Sequence, residues 1–188
     1  MTNTFGPDAV ATWANLVTVG RVLISPVLFV LIDGRAGSWT ALVLWFILCA
    51  SDGVDGWIAR RQGVTISGAF LDPLADKILV LGAMFTLVSE HVLWIVPVAI
   101  IAVREVSISL YRTVVGARGV SVPAKKLGKM KTVCQQFAIG FALLPLTAIR
   151  ARPMWLALLW IAVVLTLVSG AQYWLAAKIG RASCRERV

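Results

Sequence analysis

Hydrophobic residues run along most of this chain in long stretches, interrupted by short polar segments. With about 20 apolar residues needed to cross a bilayer, six stretches qualify, at about residues 11–32, 39–59, 72–89, 92–115, 132–150 and 153–176. The opening "MTNTFGPDAV" lacks the basic-then-apolar order and the small-residue cleavage site of a signal peptide, so the first stretch is expected to be retained. The pattern predicts an all-α integral membrane protein of six transmembrane helices with no separate soluble domain. Residues 1–178 form that domain. The last ten residues, "IGRASCRERV", do not continue the sixth stretch. One back-translation of them resembles a sequencing-library adapter read in frame, so residues 179–188 are expected to be a non-native tail.

Composition agrees. Of 188 residues, 59% are hydrophobic and 14% charged, against roughly 25% charged in a soluble domain, and the mean hydropathy is +0.86. The net charge of +9 raises nucleic acid as a partner, but basic residues placed between apolar spans mark topology and contact with anionic lipid, so no nucleic-acid role is expected. Cys49, Cys134 and Cys184 show no paired spacing and no metal-ligand pattern, and read as packing residues.

Charge also orients the spans. Arg60, Arg61, Lys77, Arg104, Arg112, Arg118, Lys125, Lys126, Lys129 and Lys131 fall on one side, and Arg35, Arg150 and Arg152 on the other. The positive-inside rule then places the former side, with both termini, in the cytoplasm.

Against this background "SDGVDGWIARRQGVTISGAFLDPLADK", residues 51–77, is anomalous: it carries four carboxylates, Asp52, Asp55, Asp72 and Asp76, at a membrane edge facing the cytosol. Asp52, Asp55, Gly56, Ala59 and Arg60 are spaced to form one stripe of a helix. Gly56 and Ala59 keep that stripe low, so a flat ligand can approach the backbone, and Arg60 can reach an anion as a planar fork. Asp72 and Asp76, four apart, share a face at the expected start of span three, where Pro73 suits the first turn and Asp72 an N-cap. Plain structural readings exist: Asp72 as a cap alone, and Asp52 and Asp55 paired with Arg60 and Arg61 at a solvated helix end. Four mutually repelling acids at such depth are nevertheless costly without cations. Hard carboxylate oxygens with no His or Cys cluster point to a divalent metal such as Mg²⁺, Mn²⁺ or Ca²⁺.

The same stretch closely resembles the signature of the CDP-alcohol phosphotransferases, D-x-x-D-G-x-x-A-R, a spacer, then G-x-x-x-D-x-x-x-D. Asp52, Asp55, Gly56, Ala59, Arg60, Gly68, Asp72 and Asp76 carry it. Seven residues separate Arg60 from Gly68, where the family usually has eight or more. "NLVTVGRVLISP" looks like the family's first helix, with Asn15, Thr18 and Arg21 three apart on one face; interhelical hydrogen bonding and ligand contact both remain open for Asn15 and Thr18. "VREVSISLYR" and "GKMKTVCQQ" are similar to segments of the branch that makes phosphatidylglycerophosphate.

The resemblance implies an inner-membrane enzyme, homodimeric by analogy, in which the hydroxyl of an alcohol attacks the lipid-side phosphorus of CDP-diacylglycerol and CMP leaves. It implies Asp52, Asp55 and Asp72 as principal ligands of two Mg²⁺ or Mn²⁺ ions, and Asp76 as general base and candidate second-metal ligand. Asp52, Gly56, Ala59, Arg60 and Gly68 would line the CDP site, joined by Asn15 and Thr18. For the acceptor, glycerol 3-phosphate is a dianion that requires cations beyond Arg60, and Arg104, Arg112, Lys126, Lys129 and Lys131 are the candidates, placed by the expected topology at cytosolic helix ends. Arg104 is the most telling, because it lies inside an apolar span; anchoring at the membrane edge is the competing account of the lysines. Inositol 1-phosphate and phosphatidylglycerol are the alternative acceptors within the family. Outside it, a cation transporter is the alternative, but no internal repeat is found.

Overall fold

The computed structural model describes residues 13–32, 37–62, 66–116, 126–148 and 150–185, and the side-chain surroundings of 15–32, 37–53, 73–111, 130–148 and 150–171. Everything described is helix or short connection. In chain order the helices are α1 (Trp13–Leu31), α2 (Trp39–Gln62), α3 (Ile66–Ser89), α4 (Ile95–Gly116), α5 (Lys126–Leu143), the single turn α6 (Pro145–Ala148) and α7 (Arg152–Arg185). They divide into two compact units: Met1–Trp94 with Ile139–Arg152, and Ile95–Ala138 with Pro153–Val188.

Helix ends differ from the expected ones for local reasons. Ser38 caps α2, its hydroxyl accepting the Ala41 N–H at 3.3 Å. α3 begins at Ile66, well before residue 72, and Pro73 sits inside it. Asp72 is therefore not an N-cap, and Gly68, Asp72 and Asp76 lie along one helix. The cost is the bond Pro73 cannot donate to the carbonyl of Ala69.

α3 ends in a Schellman motif. His91 takes φ 56°, its N–H donates to Val88 O at 3.0 Å, and the Val92 N–H donates to Leu87 O at 2.9 Å. α4 consequently starts at Ile95 rather than 92.

The expected fifth span, 132–150, is instead α5 from Lys126 to Leu143 followed by α6. Pro145 has no N–H to give Phe141 O, and the Thr147 hydroxyl donates to that carbonyl at 2.7 Å. α7 continues to Arg185, so its backbone includes residues 179–185 of the expected tail.

In the first unit α1 packs on both α2 and α3. Leu28, Trp45, Leu79, Met84 and Leu87 form the centre of its core. Gly82 lets the helices close: a Cβ there would lie 2.2 Å from Cζ of Phe29 on α1. Gly37 holds the other tight contact, with φ +75° and Leu143 O 2.6 Å from where a Cβ would stand. The three nearest atoms, Leu143 O, Leu143 C and Pro145 N, are all backbone, so none can rotate away. Gly37→Ala is expected to destabilise the protein by roughly 1–3 kcal/mol, read as a lowered melting temperature in detergent; an unchanged melting temperature would contradict that packing.

The face of α1 that packs inward is the more polar one. Asn15, Thr18, Arg21 and Ser25 are buried, and Leu16, Val19, Leu23, Ile24, Val27 and Val30 are exposed. A helix in water shows the opposite arrangement. On α7 of the second unit, Trp160, Ile161, Val164, Leu167 and Val168 are likewise exposed, while Trp155, Leu159, Ala162 and Val163 are buried. Apolar surface of this extent marks a face that meets a membrane or another protein. By length and apolar composition Arg152–Ala171 is long enough to cross a membrane among the described residues, and Asn15–Leu31 and Trp39–Gly53 are shorter apolar helices.

Candidate active site

The acidic stripe begins where α2 leaves its apolar part. Because α2 runs unbroken to Gln62, Asp52, Asp55, Gly56, Ala59 and Arg60 share one helix at the predicted spacing. α3 does the same for Gly68, Asp72 and Asp76. The surroundings of Asp55, Gly56, Ala59, Arg60, Gly68 and Asp72 lie outside the described residues, as do those of Arg112, Lys126 and Lys129.

Asp52 and Asp76 are described, and both are half-buried. Arg21 on α1 donates from Nη1 to Asp52 Oδ1 at 2.7 Å. The two ends of this pair are unequal: the Arg21 side chain is 1% exposed and that of Asp52 44%. The arginine is fixed in the core and holds a carboxylate that solvent and ligands can reach. Asp52 Oδ2 makes no bond among the described residues, which leaves one hard oxygen oriented by its neighbour. Such outer partners fix the direction of metal-binding carboxylates. Cys49, one turn before Asp52, feels the charges of Asp76, Asp52 and Arg21, in keeping with the packing of α1 on α2 and α3. Cys49 was read as a packing residue; its thiol is free and half-buried.

The donor chemistry suits Mg²⁺ or Mn²⁺, since the described groups offer carboxylate oxygen and the one nearby sulfur is a thiol. Among the described residues no group of three or more His, Cys, Asp or Glu comes together; the other two acids of the quartet are outside that set. Asn15 and Thr18 are buried on the same face of α1 as Arg21, as their spacing predicts.

A second polar cluster lies inside the second unit. Arg104 on α4 donates from Nη2 to Ser169 Oγ on α7 at 2.7 Å and from Nη1 to Glu105 Oε1 at 3.2 Å. Lys131 on α5 donates to the same Glu105 oxygen. Their side chains are 11%, 13% and 7% exposed for Arg104, Glu105 and Lys131. Two of the predicted acceptor cations are thus joined by a carboxylate. Glu105, Gln135 and Ser169 were not singled out from sequence, although an acid beside Arg104 within an apolar run was a visible signal.

A family model described as CDP-alcohol phosphatidyltransferase matches residues 11–168. The chain belongs to the CDP-alcohol phosphatidyltransferase family. Curated members similar to it include a protein of Mycobacterium tuberculosis named "Probable phosphatidylglycerophosphate synthase", 35% identical over 178 residues, 89% of this chain and 82% of the relative. Two others are named "CDP-diacylglycerol--glycerol-3-phosphate 3-phosphatidyltransferase". That of Rickettsia typhi is 32% identical over 170 residues, 87% of this chain and 96% of the relative. That of Shigella flexneri is 39% identical over 173 residues, 87% and 93% respectively. The family match spans α1 to α6 and reaches into α7, so it includes the acidic stripe and the Arg104, Glu105 and Lys131 cluster and ends one residue before Ser169.

Proposed function

We propose that this phosphatidyltransferase moves the phosphatidyl group of CDP-diacylglycerol to sn-glycerol 3-phosphate, giving phosphatidylglycerophosphate and CMP. The observation that carries the reading is the eight-residue series Asp52 to Asp76, set on two helices in a chain whose family match covers residues 11–168. Similarity to relatives named for this reaction supports the choice of acceptor.

On this reading α1, α2, α3, α4, α5 and α7 are the six membrane spans of an inner-membrane homodimer, with the acids and both termini on the cytoplasmic side. A lipid donor then enters from the bilayer and a polar acceptor from the cytosol. The four aspartates would hold two Mg²⁺ or Mn²⁺ ions, with Asp52, Asp55 and Asp72 as the principal ligands. Bound there, the ions would neutralise the pyrophosphate and the leaving CMP. Asn15, Thr18, Gly56, Ala59, Arg60 and Gly68 form the CDP site around Asp52, and Arg21 keeps the Asp52 carboxylate directed.

The acceptor hydroxyl oxygen forms a bond to the lipid-side phosphorus. The bond from that phosphorus to the CMP oxygen breaks, and the hydroxyl proton passes to an Asp76 carboxylate oxygen. Arg104, Arg112, Lys126, Lys129 and Lys131 supply the positive charge that the acceptor's phosphate requires.

Purified protein given CDP-diacylglycerol is expected to release CMP faster with glycerol 3-phosphate than with inositol 1-phosphate or phosphatidylglycerol. Arg104→Ala should raise KM for glycerol 3-phosphate about tenfold, the loss of one charge-assisted contact, and spare CDP-diacylglycerol binding. A higher rate with either alternative acceptor under matched conditions would overturn the choice of substrate.

A further inference from the structure

Glu105 is the one acidic residue between His91 and Arg185, a stretch that contains eleven basic ones. It is not dispersed among them at a solvated surface. Its side chain is 13% exposed and its Oε1 receives both Arg104 and Lys131. Burying three charged groups is costly, and well-packed apolar residues would hold three helices together at least as firmly. Retaining them inside apolar helices is the mark of a functional site.

A second observation comes from the same helix as Lys131. Gln135, one turn on and on the same face of α5, is 3% exposed, and its Nε2 has no hydrogen-bond partner among the described residues. An amide nitrogen can only donate, so this buried group requires an oxygen that the described chain does not supply. On α7 the Thr166 hydroxyl, fully buried and three residues before Ser169, is in the same condition. Ser169 accepts from Arg104 and donates to Thr166 O at 3.1 Å. An amide and a hydroxyl without hydrogen-bond partners among the described residues, on the helices that carry Lys131 and Ser169, are groups that a phosphate monoester can satisfy.

We propose that Glu105 is a positioning residue of the acceptor site: it fixes Lys131 and Arg104 for the phosphate of the acceptor, with the Gln135 amide as a further donor to that phosphate. The proposal rests on the acceptor reading above. Glu105 does not touch the reacting atoms. Its charge lets two cations stay close together in a poorly solvated place, and its geometry sets where a dianion binds.

The test is a double-mutant cycle on CMP release with Glu105→Gln, Lys131→Gln and the pair. If Glu105 acts through Lys131, each single variant raises KM for glycerol 3-phosphate about tenfold and the pair raises it about as much as one of them, because the second change removes nothing further. KM for CDP-diacylglycerol stays near its wild-type value. Effects that multiply in the pair, an unchanged KM in Glu105→Gln, or equal rises for both substrates would overturn the positioning role. Should Glu105→Gln not fold, Glu105→Asp keeps the charge and draws it back by one methylene; a raised KM for glycerol 3-phosphate alone supports the proposal, and an unchanged one overturns it. The two readings fail separately. Wild-type protein without glycerol 3-phosphate-dependent CMP release sinks the acceptor assignment, whereas an active wild type with multiplicative variants sinks only the role of Glu105.

Discussion

Removing divalent cations is expected to abolish CMP release, and adding Mg²⁺ or Mn²⁺ to restore it. Four carboxylates within one 25-residue stretch, Asp52 to Asp76, repel one another, and Arg21 engages one oxygen of Asp52. Arg21 is buried at a fixed position and balances the charge of Asp52. The remaining charge, the donor pyrophosphate and the leaving group all require cations, and the oxygens offered suit hard ones. Changing Asp52, Asp55 or Asp72 to Asn should lower turnover roughly 10²–10³-fold, the several kcal/mol that metal stabilisation of transferred phosphate is worth. Binding of Mn²⁺, followed by its electron paramagnetic resonance signal, should weaken in the same variants. Full turnover in excess EDTA after exhaustive dialysis would sink the metal model.

The second large effect is expected at Asp76. Replacing it with Asn removes a proton acceptor while keeping shape, so kcat should fall about 100-fold or more, with KM for CDP-diacylglycerol largely kept. Asp76 lies next to Ala75 and one turn before Leu79, both in the core of the first unit; its backbone is held firmly and the amide variant should fold. Turnover near wild type would remove Asp76 from the role of base. A loss of Mn²⁺ affinity as large as that in Asp52→Asn would make it chiefly a metal ligand instead.

The helices were readable because their cause is local. Long apolar runs declare themselves at any position, and all six expected spans have a helix. The ends were less readable where a proline was taken as a boundary. Pro73 looked like the start of span three because proline suits a first turn, yet α3 extends to Ile66 and accommodates it. Pro145 looked like the middle of a span and instead ends α5, with Thr147 taking the carbonyl it frees. Which proline interrupts a helix depends on what replaces the missing bond, and that partner is not written in hydropathy.

By itself the sequence determined the class of protein, the helical stripe of small and acidic residues, and the family, because each rests on composition or on spacing within one or two helices. Tertiary structure alone decided the partners. Arg21 reaches Asp52 across 31 positions, Lys131 reaches Glu105 across 26, and Arg104 reaches Ser169 across 65. Arg104 and Lys131 were legible as cations but not as a pair sharing one carboxylate. In an apolar helix every polar residue looks equally anomalous, and only the packing of one helix against another selects the group that satisfies it.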